Sequence, residues 1–448
     1  MNRAGWGGAA VLGVLLAGAI LRGGSTMPAR AEDPVPAKPA ETVVAADGSG
    51  NCLTIAEAIA VAPPGATGKV KPGTYVESLL FDRDVTLVAT EVKGKVVLEG
   101  AAGKAILDSF ANVTVEGFTL RGAKGFDGFA LVVRGGRAVF RGCEVTAPDG
   151  QGLWVGGGAA VLDAVVVKDC LYDGISVRKQ GRLQVIGGAV RHCGREGILV
   201  EDESEGTVSK CEIAEHGSTG LRVRAKAKVR IASCRFQDSK GNGILVDTGG
   251  SAEGEDLDFT RNGLSAVEVR TGGRVVCKGC RWKGGKQDGV QAAEGGHAFL
   301  EKCLLDANGA AGLRVTGEGS TGEAKDTRFL YGKENGVAVL DSGVATLDKC
   351  EIYSAGLSGV VIWTKGEGIL RDTRITKCGD YAVTAQKEAG GKVLPPGVEP
   401  HADGASLRGA GREQPVGEVH GAHRGPPAFA TVIGSPPGSS TGSSGRRA

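Results

Sequence analysis

The sequence predicts an all-β solenoid, a single-stranded parallel β-helix whose stacked coils each hold three short strands. Three observations predict it. First, a unit of about 23 residues recurs from Ala130 to Ala382, marked by a small residue, an aliphatic, any residue and a second aliphatic. It reads Ala130-Leu131-Val132-Val133, Gly152-Leu153-Trp154-Val155, Gly174-Ile175-Ser176-Val177 and Gly197-Ile198-Leu199-Val200, and returns at Gly220, Gly243, Ala266, Gly289, Gly312, Gly336, Gly359 and Ala382. A period of this length marks an array of one supersecondary unit that cannot bury its apolar face alone. Second, apolar residues alternate inside each unit. After Gly220 they are Leu221/Val223, Val229/Ile231 and Cys234/Phe236, a strand period with turn residues between the runs. Third, the aromatic content is only 4%, which suits a narrow core of Ile, Val, Leu and Cys ladders. A propeller blade would need about 40 residues per unit, and a leucine-rich repeat its Leu/Asn consensus.

The elements follow in order. Residues 1–31 read as an export signal, with Arg3 at the start, the apolar run Ala9–Leu21 and the small-x-small site Ala29-Arg30-Ala31. The run is short for a membrane span, so no span is expected once the signal is removed, and the mature chain is expected to be secreted or periplasmic. Residues 32–41 are a Pro/Ala linker. Residues 42–104 form an N-terminal cap and irregular first coils. There, Thr54-Ile55-Ala56-Glu57 is a capping box opening a helix from Thr54 to Ala62, stopped by Pro63-Pro64-Gly65. Laid across the first coil, the helix hides its open edge. Val70–Val88 and Lys95–Leu120 supply the early strands. Residues 105–386 are the regular coils. Residues 387–448, rich in Gly, Pro, Ser, Ala and Arg, are expected to be a disordered tail. That leaves the last coil near Tyr381 uncapped and open to a partner. A net charge of +2 over 448 residues does not suggest nucleic acid.

The run from Asp47-Gly48-Ser49-Gly50-Asn51-Cys52 through Ala62-Pro63-Pro64-Gly65 to Val70-Lys71-Pro72-Gly73-Thr74-Tyr75-Val76-Glu77 resembles the opening segment of pectin-esterase-like proteins. The coils resemble the right-handed parallel β-helix (pectin-lyase-like) superfamily of secreted bacterial proteins. The resemblance covers residues 42–386 and implies the right-handed fold. It does not imply one activity, because lyases, hydrolases, esterases, epimerases and non-enzymes share the fold. The Gln-Asp-Thr, Asn-Thr-Asp, Gly-His-Gly and Asp-Pro-His-Asp motifs of its enzymes are absent. No catalytic residue is therefore assigned.

Residues equivalent in successive coils stack, so columns carry the candidate sites. One turn column reads Arg178, Glu201, Arg224, Asp247, Arg270, and an outward strand column reads Glu212, Arg235, Asp258, Arg281. Alternating signs at about 5 Å predict a register-keeping ion ladder. Polysaccharide lyases of the resembled fold hold calcium on carboxylates and use an Arg or Lys as base. Glu201, Asp202 and Asp247 beside Arg224 would be that set here, and calcium is considered under that reading alone. An inward column holds Cys143, Cys211, Cys234, Cys280, Cys303 and Cys350, with Thr327 and Thr373 in the same place, and is read as buried free thiols. A turn column reads Cys170, Cys193, His216, Ser239, Asn262. Its first two residues are disulfide candidates. With His216 they also form a candidate zinc or copper(I) set. Trp154, Trp282 and Trp363 occupy positions that do not line up. These readings together predict a binding protein for extended carbohydrate or a cell-surface glycan. A polysaccharide lyase or hydrolase is the alternative, and a purely structural surface protein the third reading.

Overall fold

The computed structural model describes residues 41–91 and 94–386, and the backbone of Thr431–Ile433. The expected signal, the linker before Glu41 and the rest of the tail lie outside the described residues. Among these residues three parallel sheets build the solenoid. Sheet A has 15 strands, from Glu41–Val44 to Glu367–Arg371. Sheet B has 14, from Gly73–Val76 to Arg374–Thr376. Sheet C has 15, from Leu79–Phe81 to Thr431–Ile433. Each coil visits C, A and B in turn, as in Ile198–Val200, Glu205–Ser209 and Glu212–Ala214.

Equivalent residues pair directly: Ile175 with Ile198, Ile198 with Leu221, Leu221 with Ile244. The ladder read from the sequence is therefore real, and all four side chains are buried. The small residue that opens each unit has a steric cause. A Cβ on Gly220 would lie 2.7 Å from the Gly243 carbonyl oxygen of the next coil and 3.2 Å from the rings and methyls of Phe236 and Ile213. Sheet B carries an aromatic stack through the core, Phe236 on Phe259 and Phe259 on Trp282, each at 5.2 Å between centroids.

The corner between sheets A and B explains the cysteine column. Lys210, Ser233, Lys302 and Lys349 adopt φ of 54°, 53°, 55° and 53°, and the next residue turns its side chain inward. At Cys234, Cys303 and Cys350 the thiol donates to the carbonyl two residues back, at 3.3, 3.3 and 3.4 Å. Thr327 and Thr373 do the same with a hydroxyl at 2.9 and 3.0 Å. The column selects a small buried donor, and all eleven cysteines are free thiols.

The helix spans Ile55–Val61, with Thr54 as N-cap and the expected capping box to Glu57. Glu77 adds a second cap, accepting from the Ile55 and Ala56 amides at 2.9 and 2.7 Å. Ile55, Ala58 and Ile59 are buried against the first strands of sheets A and C. One correction concerns order. Sheet A begins at Glu41–Val44, before the helix, so the helix is an excursion from the first coil rather than a segment preceding it. Another concerns the far end. Thr431–Ile433 pairs in parallel with Val383–Gln386, so sheet C continues past the coil expected to end bare.

Replacing Ile244 by Ala should cost about 2–5 kcal/mol through lost burial and a cavity. Because coils contact only their neighbours, the loss should appear as faster amide exchange confined to the coils around Ile244. Uniform exchange along the chain would contradict this.

Candidate functional site

The outer face of sheet C carries a set of buried charges. Asp173, Glu196, Glu201, Asp247 and Asp288 are all buried on its outward side, beneath the stems of partly exposed arginines. Glu196 and Asp288 sit there because a polar residue just before a repeat glycine can reach the outward strand residue of the following coil, whereas Glu201 and Asp247 follow the strand. Glu196 meets Arg222 at 3.5 Å, Asn242 meets Glu268 at 2.8 Å, Ser265 meets Gln291 at 3.3 Å, Asp288 meets Arg314 at 2.8 Å and Ser358 meets Thr384 at 2.9 Å. Five such diagonal braces recur along the face, one to three coils apart. The sequence signal was the recurring polar residue before the glycine, which the ladder reading passed over.

The expected turn column is realised in part. Glu201 lies between Arg178, at 2.8 Å, and Arg224. Asp247 does not pair with Arg224. Arg222 takes it instead, with Nε at 3.1 Å and Nη2 at 2.8 Å, because Arg222 points outward one coil back and its guanidinium reaches across. Arg270 turns to Glu268 at 3.4 Å. Asp202 is exposed in a turn at φ 56°. The calcium set is therefore not assembled: Glu201 and Asp247 are held by arginines and Asp202 stands apart. In the second column Asp258 pairs with Arg281 at 2.9 Å, whereas Glu212 pairs with Arg191 at 2.5 Å and Gln237 at 2.9 Å.

Cys170, Cys193 and His216 do stack, one per coil. Cys193 donates its backbone N–H to His216 Nδ1 at 3.3 Å, while His216 Nε2 is buried without a partner under Gly197. A stack at one strand spacing does not converge on a point, and among the described residues no three His, Cys, Asp or Glu side chains form a metal-holding group. Cys170 and Cys193 are unbridged.

Of the three carboxylates Asp173, Glu196 and Asp288, Asp173 alone lacks a diagonal partner. Its diagonal position is Leu199, which offers no donor. Only the Glu196 backbone N–H, at 3.3 Å, and the Arg195 guanidinium, at 3.7 Å, approach its Oδ1, and Oδ2 has no partner. At 1% exposure the carboxyl is pushed up to about 6, first by burial and then by the Glu196 carboxyl beside it. Burial pushes His216 the other way, down to about 4. A broad groove of ≈ 620 Å³ lies elsewhere, on the outer face of sheet A among Thr207, Arg230, Glu253, Arg274 and Phe299. Its charges are exposed and loosely paired, Arg230 to Glu253 at 3.3 Å. The desolvated groups of sheet C make that face the stronger site.

A family model described as "Right handed beta helix region" matches residues 104–254, 219–342 and 311–394. No curated protein matches the sequence. Among solved structures, the A-module of a mannuronan C-5 epimerase from Azotobacter vinelandii is similar at 15% identity and TM-score 0.49, over 72% of this chain and 92% of that one. The catalytic unit of a thermostable α-1,3-glucanase from Streptomyces thermodiastaticus is similar at 15% identity and TM-score 0.43, over 75% and 65%.

Arg222→Ala strips a donor from two buried carboxylates and should cost about 3–5 kcal/mol. Arg224→Ala leaves Glu201 with Arg178 and should cost no more than about 1–2 kcal/mol. Urea titrations showing the reverse order would refute the pairing of Asp247. The two shifted groups have opposite linkage. Asp173 titrates above its ordinary 3.8, so its contribution is complete below that pH and is lost as pH rises through about 6. His216 titrates below its ordinary 6.5, so its contribution is complete above that pH and is lost as pH falls through about 4. Each is worth up to about 3 kcal/mol, and they offset in one window. Asp173→Asn should make the protein lose stability on acidification from pH 6.5 to 4, and His216→Asn should make it gain. Melting curves across that range check both signs.

Proposed function

We propose that this chain, which belongs to the right-handed β-helix family, binds an extended polysaccharide along the outer face of sheet C. One observation carries the reading: donors and acceptors recur along this face in five equivalent braces, spaced one to three coils apart. The step between parallel strands is about 4.8 Å, close to the length of one hexose in an extended chain. A polymer of repeating hydroxyls running along the coils would meet an equivalent polar pair wherever a brace stands, at whole multiples of that step. The braces also hold these groups in place before binding, which lowers the cost of ordering them.

Export fits this reading. The expected signal at residues 1–31 would deliver the chain to the periplasm or beyond, where such polymers lie. No helix among the described residues is long and apolar enough to cross a membrane. A second reading, hydrolysis of the bound chain, has one observation behind it: Asp173 and Glu196 adjoin, and the first is raised to about 6, as a proton-donating carboxyl pair requires.

Native gels with embedded polysaccharides test the binding reading on the purified protein. Retardation is expected, and the double variant Arg195→Ala/Arg224→Ala should weaken it by about tenfold, equivalent to 1.4 kcal/mol. Arg230→Ala/Arg274→Ala on sheet A should leave it unchanged. Retardation by no polysaccharide, or loss only with the sheet A variants, would sink the proposal. Release of reducing ends by the wild type but not by Asp173→Asn would move the reading to hydrolase.

A further inference from the structure

Three thiols meet at one corner of the core. Val276-Cys277-Lys278-Gly279-Cys280 sets two cysteines three residues apart. The first lies in the strand Arg274–Lys278 of sheet A, and the second stands just before the strand Arg281–Lys283 of sheet B. Cys280 belongs to the corner column described above. Cys277 does not: its own inward column runs Val208, Ile231, Gly254, Cys277, Leu300, so packing there does not ask for a thiol. The third thiol, Cys303, is the equivalent of Cys280 one coil on, because Arg281 pairs with Leu304.

The corner closes over all three. Cys277 and Cys280 are 0% exposed and Cys303 2%. Gly279 turns the chain between the first two at φ 63°, as Lys302 does before Cys303 at φ 55°. The backbone joins the two coils at this point, with the Leu304 N–H donating to Cys280 O at 2.9 Å. Cys303 Sγ reaches Cys277 O at 3.4 Å, and Cys280 Sγ reaches Lys278 O at 3.4 Å. The Cys280 side chain is also in hydrogen-bond contact with both Cys277 and Cys303. These bonds, and then burial, push the Cys277 and Cys303 thiols up, and receiving them pulls Cys280 down. Cys280 is thus the first of the three to ionise, and the thiolate is the attacking form.

We propose that this triad is a redox-sensitive staple, in which a disulfide between Cys280 and Cys303 locks two successive coils together. Neighbouring parallel strands stand about 4.8 Å apart, inside the Cα separation of about 4.4–6.8 Å that a disulfide spans. The oxidant is a low-molecular-weight disulfide. The Cys280 thiolate attacks one of its sulfurs, giving a mixed disulfide and one free oxidant thiol. The Cys303 thiolate then attacks Cys280 Sγ and releases the second. Two protein thiols lose two protons and two electrons, and the oxidant is reduced to two thiols. Burial sets the timing, since the reaction waits for the joint between the coils to open, and solenoids open segment by segment. Once formed, the bond spans the joint that had to open.

The purified full chain is incubated with glutathione disulfide, alkylated, and digested with trypsin. The enzyme separates the three thiols into the peptides 275–278, 279–281 and 303–314. A link between 279–281 and 303–314 is expected, and dithiothreitol should reverse it. Amide exchange at Arg281 and Leu304 should be about tenfold slower in the oxidised protein. Cys277→Val, which restores an aliphatic to its column, should keep the link. Cys280→Thr matches the residue this corner accepts at Thr327 and Thr373, so it should fold like the wild type, form no link and show the same exchange with and without oxidant. Any of four results would overturn the staple: no link between these two peptides after oxidation of the native chain, a link from 279–281 to 275–278 instead, a link formed only in denaturant, or equal slowing of exchange in Cys280→Thr.

Discussion

The backbone ladder between parallel coils is the constraint on which everything else here depends. Once Ile198 is the direct partner of Leu221 and Leu221 of Ile244, every other position in the coil has a fixed neighbour above and below. A residue is then chosen as much by its equivalent one coil away as by its neighbours in sequence. The glycine that opens each unit follows from this, since the next carbonyl approaches to 2.7 Å of where its Cβ would be. So does the Cys/Thr column, where the corner asks for a small donor and accepts a thiol or a hydroxyl alike.

The same constraint separates what was legible in the sequence from what was not. Inward ladders were legible because their side chains are short and meet the next coil directly. Periodicity alone therefore places Ile175, Ile198, Leu221 and Ile244, and the capping box at Thr54 and Glu57 places the helix. The outward charges were misread at Asp247 for a physical reason. A long arginine need not pair with its vertical equivalent, and Arg222 reaches Asp247 from a different column. Reading columns vertically gives Arg178–Glu201–Arg224 correctly and fails where the guanidinium goes sideways. The brace from Glu196 to Arg222 or Asp288 to Arg314 spans one coil plus three residues, a separation that a search for one fixed period does not sample.

The turn column of Cys170, Cys193 and His216 shows the reverse limit. Sequence proximity in a column suggests a metal site, but stacking spreads the three groups along the axis. What the column offers each of them is the hollow beneath a repeat glycine: Cys193 Sγ fits under Gly174 and His216 Nε2 under Gly197. Asn262 fills the same hollow under Gly243 and uses it to bond Phe236 O at 3.3 Å and the Ser239 amide at 3.3 Å. Against that background His216 is a turn residue with one nitrogen used and one stranded, which is why burial rather than a partner governs its titration.

Regularity is also what gives the irregular coils their meaning. A solenoid in which every local choice agrees with its neighbours has little reason to depart from pattern, so departures concentrate where something other than stability is served. Here they cluster between Phe129 and Leu199. An indole occupies an outward position and Gly156 clears space for it. Lys179, beside Trp154 at 5.6 Å, makes no ion pair among the described residues. At the start of the same coil, Asp173 has Leu199 at its diagonal position, without a donor, and keeps an unpartnered oxygen at 1% exposure. Braces stand again at Asn242, Ser265, Asp288 and Ser358. The unpartnered Asp173 oxygen does not stabilise the fold, because a buried polar atom without a partner costs free energy. The concentration of these departures on one face of adjacent coils, in the N-terminal half of sheet C, is consistent with the proposed binding segment lying there rather than evenly along the solenoid.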